Sequence, residues 1–255
     1  MAMTISVERD ARGVATVTLD RPDVHNALDA ATMDDLRAFA EAPDARVVVL
    51  TGRGVSFCAG GDLGWMRAQF DATPDQRRQE ASRLAHMLQA LDAMDAPLIG
   101  KVNGAAFGGG VGMISVCDVA VASETAKFGL TETRLGLIPA TIGPYVAARL
   151  GPGTRRVFMS SRRFDAAEAV TLGLVSRAVP VDALDEAVEA EIAPYLACAP
   201  GAVRDAKRLA RRLSSADREA EIEASIEALM ARWEDPEARE GVGAFFDKRK
   251  PDWIV

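Results

Sequence analysis

The sequence predicts a mixed α/β protein in which buried strands alternate with helices. Residues 47–50 and 98–102 are nearly continuous apolar runs, which are typical of strands covered on both faces of a parallel sheet. Segments with helical spacing of apolar residues separate these runs. The order strand, strand, helix also recurs along the chain. This recurrence favours a spiral of similar units, although no sequence repeat is visible.

Local patterns predict each element in turn. Asp29 and Asp165 are placed to cap helices, because a short acidic side chain can accept hydrogen bonds from the first free amides of a helix. After Pro180 the pattern becomes almost entirely helical, which predicts a boundary near residue 200. In chain order we expect a hairpin over 5–19 with its turn at 11–13, a helix after Asp29 to 40, a strand at 47–50, a helix over 74–94, a strand at 98–102, a helix that follows the three glycines of 108–110 and runs through 113 to 117, strands at 119–122 and 127–129, helices over 142–150 and 154–159, a helix after Asp165, and helices over 183–197, 202–213 and 216–233.

Composition limits the classes of protein to which the chain can belong. Its 255 residues are 49% apolar and 26% charged, which is ordinary for one large globular domain and argues against disorder. The net charge of −7 disfavours general attraction to nucleic acid or to an anionic membrane. The cysteines Cys58, Cys117 and Cys198 lack framework spacing, and we expect buried thiols in a reducing compartment. We expect a cytoplasmic protein with no metal site, signal peptide or membrane span.

Two glycine-rich segments carry the predicted chemistry. Residues 108–110 are three glycines at the predicted start of a helix, and a second loop at 57–63, which contains Gly60 and Gly61, lies upstream behind an apolar strand. Glycine costs backbone entropy, so such positions indicate a need for its φ freedom or for its missing side chain. A main-chain N–H at the positive end of a helix can bind an oxygen that becomes negative. The two segments together predict an oxyanion hole built from backbone amides.

With their neighbours, these segments resemble the crotonase superfamily, the family of enoyl-CoA hydratases and isomerases. Residues 105–113 and 133–146, with 62–66 and 163–166, are similar in finer detail to bacterial methylglutaconyl-CoA hydratases. The family motifs occur in order along nearly the whole chain, at residues 25–28, 57–63, 97–118, 126–132, 135–139, 166–169, 172–175 and 245–250.

The resemblance implies a particular architecture and substrate. A crotonase-like spiral of repeated β-β-α units would occupy residues 1–199, and a C-terminal helical trimerisation region residues 200–255. The implied substrate is an acyl-coenzyme A thioester, with no cofactor besides the coenzyme A of the substrate itself. The implied assembly is a homotrimer or a dimer of trimers.

Matching motif positions imply the catalytic residues. The N–H groups of Gly61 and Gly109 would stabilise the thioester oxygen, and Glu132 would be the acid/base. Hydratases of the family carry a further glutamate where this chain has Gly112, for which we expect a role in helix packing. This difference puts a mechanism with two glutamates in doubt. One carboxyl suffices to move a proton between carbons.

The implied substrate-binding residues include several with structural alternatives. Asn26 would contact coenzyme A through its backbone or simply form a turn, and Lys248 would approach the coenzyme A phosphates or belong to a solvated charge run. Asp62 is a better candidate for a helix cap than for catalysis, and Trp65 suits either the acyl pocket or the core. The full set is Asn26, Ala27, Ala59, Gly61, Asp62, Leu63, Trp65, Gly108, Gly109, Phe245 and Lys248.

Hydration of an enoyl-CoA, with 3-methylglutaconyl-CoA as a candidate substrate, is the leading hypothesis. A carboxylated acyl chain would require a nearby cation, and the sequence alone places no arginine or lysine in the pocket. The alternatives are a Δ3,Δ2-enoyl-CoA isomerase that uses the same glutamate, and a non-catalytic protein that binds coenzyme A or RNA. A dinucleotide-binding dehydrogenase is disfavoured because residues 52–57 and 110–115 lack the third glycine of its fingerprint.

Overall fold

A computed structural model describes residues 4–214 and 218–251. Within these ranges the strands form two sheets. The larger sheet contains, in spatial order, β1 (Ile5–Arg9), β2 (Val14–Leu19), β3 (Val47–Gly52), β5 (Leu98–Val102), β7 (Val119–Ser123) and β10 (Arg177–Val179). The smaller sheet contains β4 (Ser56–Cys58), β6 (Ala105–Phe107), β8 (Lys127–Gly129) and β9 (Arg163–Asp165).

Helices follow most of the strand pairs. The side chain of Asp29 accepts a hydrogen bond from the Thr32 amide, and that of Asp165 from the Glu168 amide, so both predicted caps are confirmed. The helices are α1 (Ala30–Glu41), α2 (Leu63–Asp71), α3 (Pro74–Ala93), α4 (Gly109–Ser115), α5 (Gly143–Leu150), α6 (Thr154–Phe158), α7 (Ala166–Thr171), α8 (Leu184–Leu196), α9 (Pro200–Ser214), α10 (Arg218–Glu234) and α11 (Pro236–Phe246).

The two sheets are built by a chain that alternates between them. β3, β5 and β7 lie in the larger sheet, and β4, β6 and β8, which follow them, lie in the smaller one. A helical segment then returns the chain to the larger sheet. Neighbouring strands are parallel except for the β1–β2 hairpin and the β8–β9 pair. This arrangement confirms the predicted spiral of β-β-α units.

The central strand β3 of the larger sheet is buried on both faces, which explains its apolar sequence. In β3, Val48 and Leu50 join the main hydrophobic cluster, whereas Val47 and Val49 face a second cluster that includes residues of α8. Since both faces exclude water, alternation of polar and apolar residues has no place in this strand. Pro194 lies inside α8.

The C-terminal helices pack against the core of the same chain. Buried residues of α10, among them Ile226 and Trp233, belong to the main hydrophobic cluster. α11 lies against the turn at residues 132–136, where a Cβ on Gly241 would stand 2.4 Å from the carbonyl oxygen of Leu135. The role of residues 200–255 in trimerisation stays a prediction. No helix in the two described ranges has the length and apolarity needed to cross a bilayer.

Contact between α11 and this turn should make Gly241 sensitive to the smallest substitution. We expect Gly241→Ala to lower the free energy of unfolding by about 1–3 kcal/mol, because backbone atoms of Leu135 cannot move aside cheaply. Gly243→Ala, two residues along the same helix, meets nothing within 4 Å and should be neutral or slightly stabilising. Urea unfolding of both variants measures the difference, and equal stabilities would contradict the packing described here.

Candidate active site

A cavity of about 390 Å³ lies where the two glycine-rich loops meet the turn that follows β8. Helix α10 contributes two large apolar side chains to its wall, so the C-terminal region completes the site. The lining residues are Ala59, Gly60, Gly61, Leu63, Trp65, Met66, Leu84, Phe107, Gly108, Gly109, Thr131, Glu132, Arg134, Leu135, Leu137, Ile138, Pro139, Ala140, Thr141, Ile142, Arg163, Leu229, Trp233 and Phe245.

Gly61 offers a free main-chain amide in this wall. The Leu28 amide donates to the Gly60 carbonyl at 2.7 Å, and the Asp62 amide donates to the Leu28 carbonyl at 2.9 Å. Amides of successive residues in an extended chain point to opposite sides, so the Gly61 N–H points away from Leu28. It donates no hydrogen bond within residues 4–214 and 218–251.

The second loop presents Gly109 as the first residue of α4. An N–H in the first turn of a helix has no partner within the helix, and that of Gly109 finds none elsewhere in the described chain. Gly108 precedes it with φ of +47°, a conformation that disfavours any residue with a Cβ. A Cβ on Gly108 would stand 3.8 Å from the Cα of Gly60. The two glycine-rich loops are therefore in contact.

Glu132 supplies the carboxyl of the cavity. Its Oε1 stands 3.0 Å from the position of a Cβ on Gly108, and its Oε2 is buried without a hydrogen-bond partner in the described residues. The residue as a whole is partly exposed, but its carboxyl is not. Loss of hydration raises the pKa of this carboxyl from 4.5 to about 7. Such a group both accepts and releases protons near neutral pH.

Gly112 confirms the expectation of a packing role. A Cβ at this position would stand 2.7 Å from Cγ2 of Ile142 and 3.4 Å from Cδ1 of Leu88. Apolar side chains thus occupy the space that a side chain of residue 112 would need. Within the described cavity wall, Glu132 is the only carboxyl.

Most of the predicted substrate-binding residues lie on this wall. Trp65 donates from Nε1 to Oε2 of Glu80 at 2.7 Å, a bond that fixes the indole between α2 and α3. Phe245, at the end of α11, is half exposed and borders the cavity. The predicted residues on the wall are Ala59, Gly61, Leu63, Trp65, Gly108, Gly109 and Phe245.

Four predicted binding residues lie outside this set. The buried Asn26 side chain accepts from the Arg21 amide and donates to the Ser56 carbonyl, so only its backbone is available to a ligand. Asp62 caps α2 by accepting from the Gly64 and Trp65 amides, as expected. The others are Ala27, which is buried, and Lys248, which is exposed in the turn after α11.

Two cationic residues and a threonine on the wall were not among the residues predicted from the sequence. Arg134 and Arg163 border the cavity and form no ion pair within the described residues. The Arg163 guanidinium lies over the ring of Phe107, 5.2 Å from its centroid. Thr141 is 4% exposed and also borders the cavity. The only indication in the sequence was that Arg134 lies two residues after Glu132, which places it near the predicted catalytic carboxyl.

Comparison with known proteins identifies the family. Residues 9–254 match the model of the enoyl-CoA hydratase/isomerase family. The chain belongs to this family. It is 34% identical to a Rhodobacter capsulatus protein named "Probable enoyl-CoA hydratase", over 94% of each chain. Among solved structures, it matches an enoyl-CoA hydratase from Mycobacterium avium with a TM-score of 0.85 and 31% identity, over 99% of this chain and 100% of the other.

A second solved structure agrees with this assignment. An enoyl-CoA hydratase from Shewanella pealeana is 35% identical to this chain, with a TM-score of 0.78. The match covers 98% of this chain and 96% of the other. The protein is thus an enzyme of the crotonase superfamily, and its fold is the one that the resemblance implied.

Burial of the Glu132 carboxyl should be visible in the pH dependence of stability. Between pH 4.5 and about 7 the folded protein retains a proton that the unfolded chain has released, so this group makes the folded state less stable as the pH rises. Glu132→Gln cannot ionise. We therefore expect the variant to gain stability relative to the parent protein across this window, by about 3 kcal/mol at pH 8. Denaturant unfolding at pH 5 and pH 8 tests this, and a constant difference between the two proteins would exclude it.

Proposed function

We propose that this enzyme adds water across the 2,3 double bond of an enoyl-CoA thioester. The observation that carries the proposal is the buried, unpartnered carboxyl of Glu132 in one cavity with the free amides of Gly61 and Gly109. These are the groups that the reaction requires: two donors for an oxygen that gains charge, and one acid/base that titrates near neutral pH.

The two amides would act as an oxyanion hole. When the hydroxyl oxygen bonds to C3 of the substrate, an electron pair moves to the thioester oxygen and forms an enolate. Donors fixed by the backbone need no reorganisation at that moment, so they bind the enolate more strongly than the neutral thioester. Loss of one such donor typically costs about 3 kcal/mol of the activation barrier.

Glu132 would transfer one proton of the water to C2 in two steps. Its carboxylate takes a proton from the attacking water as the C3–O bond forms. The resulting carboxylic acid then gives that proton to C2 as the enolate returns to a thioester. One molecule of water is added, the carboxylate is restored, and no electron leaves the substrate, so the reaction calls for no redox cofactor.

Further binding residues support the coenzyme A portion of this proposal. Asn26 and Ala27, with Ala59, would contact the coenzyme A arm through main-chain atoms. Phe245 borders the cavity, and Lys248 lies three residues further along, within reach of the phosphates in our proposal. Assembly as a homotrimer or a dimer of trimers and a cytoplasmic location also stay predictions.

Hydration should depend on the ionised form of Glu132. Crotonyl-CoA should lose its conjugated thioester absorbance when enzyme is added, and Glu132→Gln should abolish this loss. We expect kcat/KM to rise with pH and to level off above about pH 7, because the base form accepts the proton of water. A fully active Glu132→Gln enzyme would eliminate the proposed acid/base.

Isomerisation of a 3-enoyl-CoA is a second candidate activity. The packing of Ile142 over Gly112 favours it, because that packing leaves the described wall with one carboxyl. One carboxyl can take a proton from C2 and return it to C4. Gain of conjugated absorbance from a 3-enoyl-CoA, without any hydration of 2-enoyl-CoA, would replace our first proposal with this one.

We further propose that the acyl chain carries a carboxylate, as in 3-methylglutaconyl-CoA. The support is electrostatic: Arg134 and Arg163 border the cavity of a protein whose net charge is −7, and neither is paired with an acidic residue of the described chain. The contact of Arg163 with the Phe107 ring holds its guanidinium beside the loop that contains Gly109. A substrate anion would give these cations a partner.

Variants of these arginines show whether they bind the acyl carboxylate or the coenzyme A phosphates. If they bind the acyl carboxylate, Arg134→Met and Arg163→Met should each lower kcat/KM for 3-methylglutaconyl-CoA about 10- to 100-fold and change that for crotonyl-CoA less than about threefold. If the arginines bind coenzyme A phosphates, kcat/KM should fall equally for both substrates. Arg155→Met, which removes an exposed arginine outside the cavity, is the matched control.

A further inference from the structure

We propose that the hydroxyl of Thr141 holds the water molecule that is added to the substrate. The inference rests on the proposed hydratase activity and concerns the group that completes it. Addition of water requires the nucleophile to be fixed over C3, and Glu132 alone supplies one contact to it. A second hydrogen bond to the water would fix the direction of the lone pair that attacks C3.

The environment of Thr141 points to a partner that is a small polar molecule. The residue is 4% exposed and borders the cavity. Its hydroxyl makes no hydrogen bond within residues 4–214 and 218–251, whereas buried hydroxyls are normally paired. Unlike the hydroxyl of Thr154, which is also unpartnered, that of Thr141 is not sealed inside the protein.

The neighbour of Thr141 places it beside the region left without a carboxyl. Ile142, the next residue, fills the space next to Gly112. The turn is held by the Ala140 amide, which donates to the Ile138 carbonyl, and by the Gly143 amide, which donates to the Ala140 carbonyl, both at 2.8 Å. Thr141 is therefore held by a fixed backbone and directly precedes the residue that packs over Gly112.

A hydroxyl suits the role better than the other polar groups of the wall. An attacking water uses one lone pair for C3 and gives one proton to Glu132, so its second O–H needs an acceptor. The guanidinium groups of Arg134 and Arg163 carry donors only. The indole of Trp65 is also a donor and is already bonded to Glu80. Thr131 has a hydroxyl but is partly exposed, which leaves Thr141 as the buried acceptor among the described lining residues.

In the proposed step, Oγ1 of Thr141 accepts a hydrogen bond from the O–H that stays with the product. Glu132 takes the other proton while the water oxygen bonds to C3 and the electron pair moves to the thioester oxygen. Thr141 neither gains nor loses a proton. It is therefore a residue that binds the second reactant, and isomerisation, which consumes no water, does not need it.

This difference between reactions provides the test. We expect Thr141→Val to lower kcat for hydration of crotonyl-CoA about tenfold or more, and Thr141→Ser to retain activity close to that of the parent enzyme. The same Thr141→Val protein should exchange the C2 protons of butyryl-CoA for deuterium at the parent rate, because that exchange needs Glu132 and the amides alone. Thr154→Val, which removes a buried hydroxyl outside the cavity, should leave both rates unchanged.

Each result distinguishes this inference from the function on which it depends. If the parent enzyme does not hydrate enoyl-CoA, the proposed function fails. If it does, and Thr141→Val hydrates equally well, or loses hydration and exchange to the same extent, the role of Thr141 is overturned. Should the valine variant not fold, the comparison of Thr141→Ser with Thr141→Ala carries the same test, since both shorten the side chain and only serine keeps the hydroxyl.

Discussion

Contact between two backbone loops is the constraint on which the rest of this structure depends. The loop at Gly60 and the loop at Gly108 approach so closely that a Cβ on either would stand 3.8 Å from the Cα of the other. β4 and β6, which lead into the loops, are paired in parallel in the smaller sheet. Adjacent strands therefore bring the amides of Gly61 and Gly109 to one cavity, and glycine allows the loops to touch there.

A second backbone contact involves the turn that carries the carboxyl. The turn that carries Glu132 ends at Gly136, whose φ is +72°, and a Cβ there would stand 2.2 Å from the Glu237 carbonyl oxygen. With Gly241 facing Leu135, main-chain atoms of this turn and of α11 meet at two glycines. Backbone atoms cannot move aside as a side chain can, so this contact restricts how the turn and α11 lie against each other. The cavity wall also includes Trp233.

The features that could be predicted from the sequence are those determined by residues close together in the chain. Asp29 and Asp165 cap their helices because capping needs only the following three residues, and the apolar run of β3 reflects burial on both faces. The strands β4 and β6 were not predicted as strands, since three residues beside glycines show no periodicity. Arg163 and Thr141 reach the cavity through the pairing of β9 with β8 and through the turn before α5, and neither is visible from sequence spacing.

Because residue 112 has no side chain, fewer groups are available to bind and deprotonate the attacking water. A second carboxylate beside Glu132 would share the water but would also repel the first, which raises the pKa of one of the two. Here residue 112 is a glycine covered by Ile142, so no second carboxylate is present at that position, and burial raises the pKa of Glu132 to about 7. A neutral hydroxyl at Thr141 can accept a hydrogen bond without adding charge. With Arg134 and Arg163 on the same wall, the cavity then has room for a second anion on the substrate.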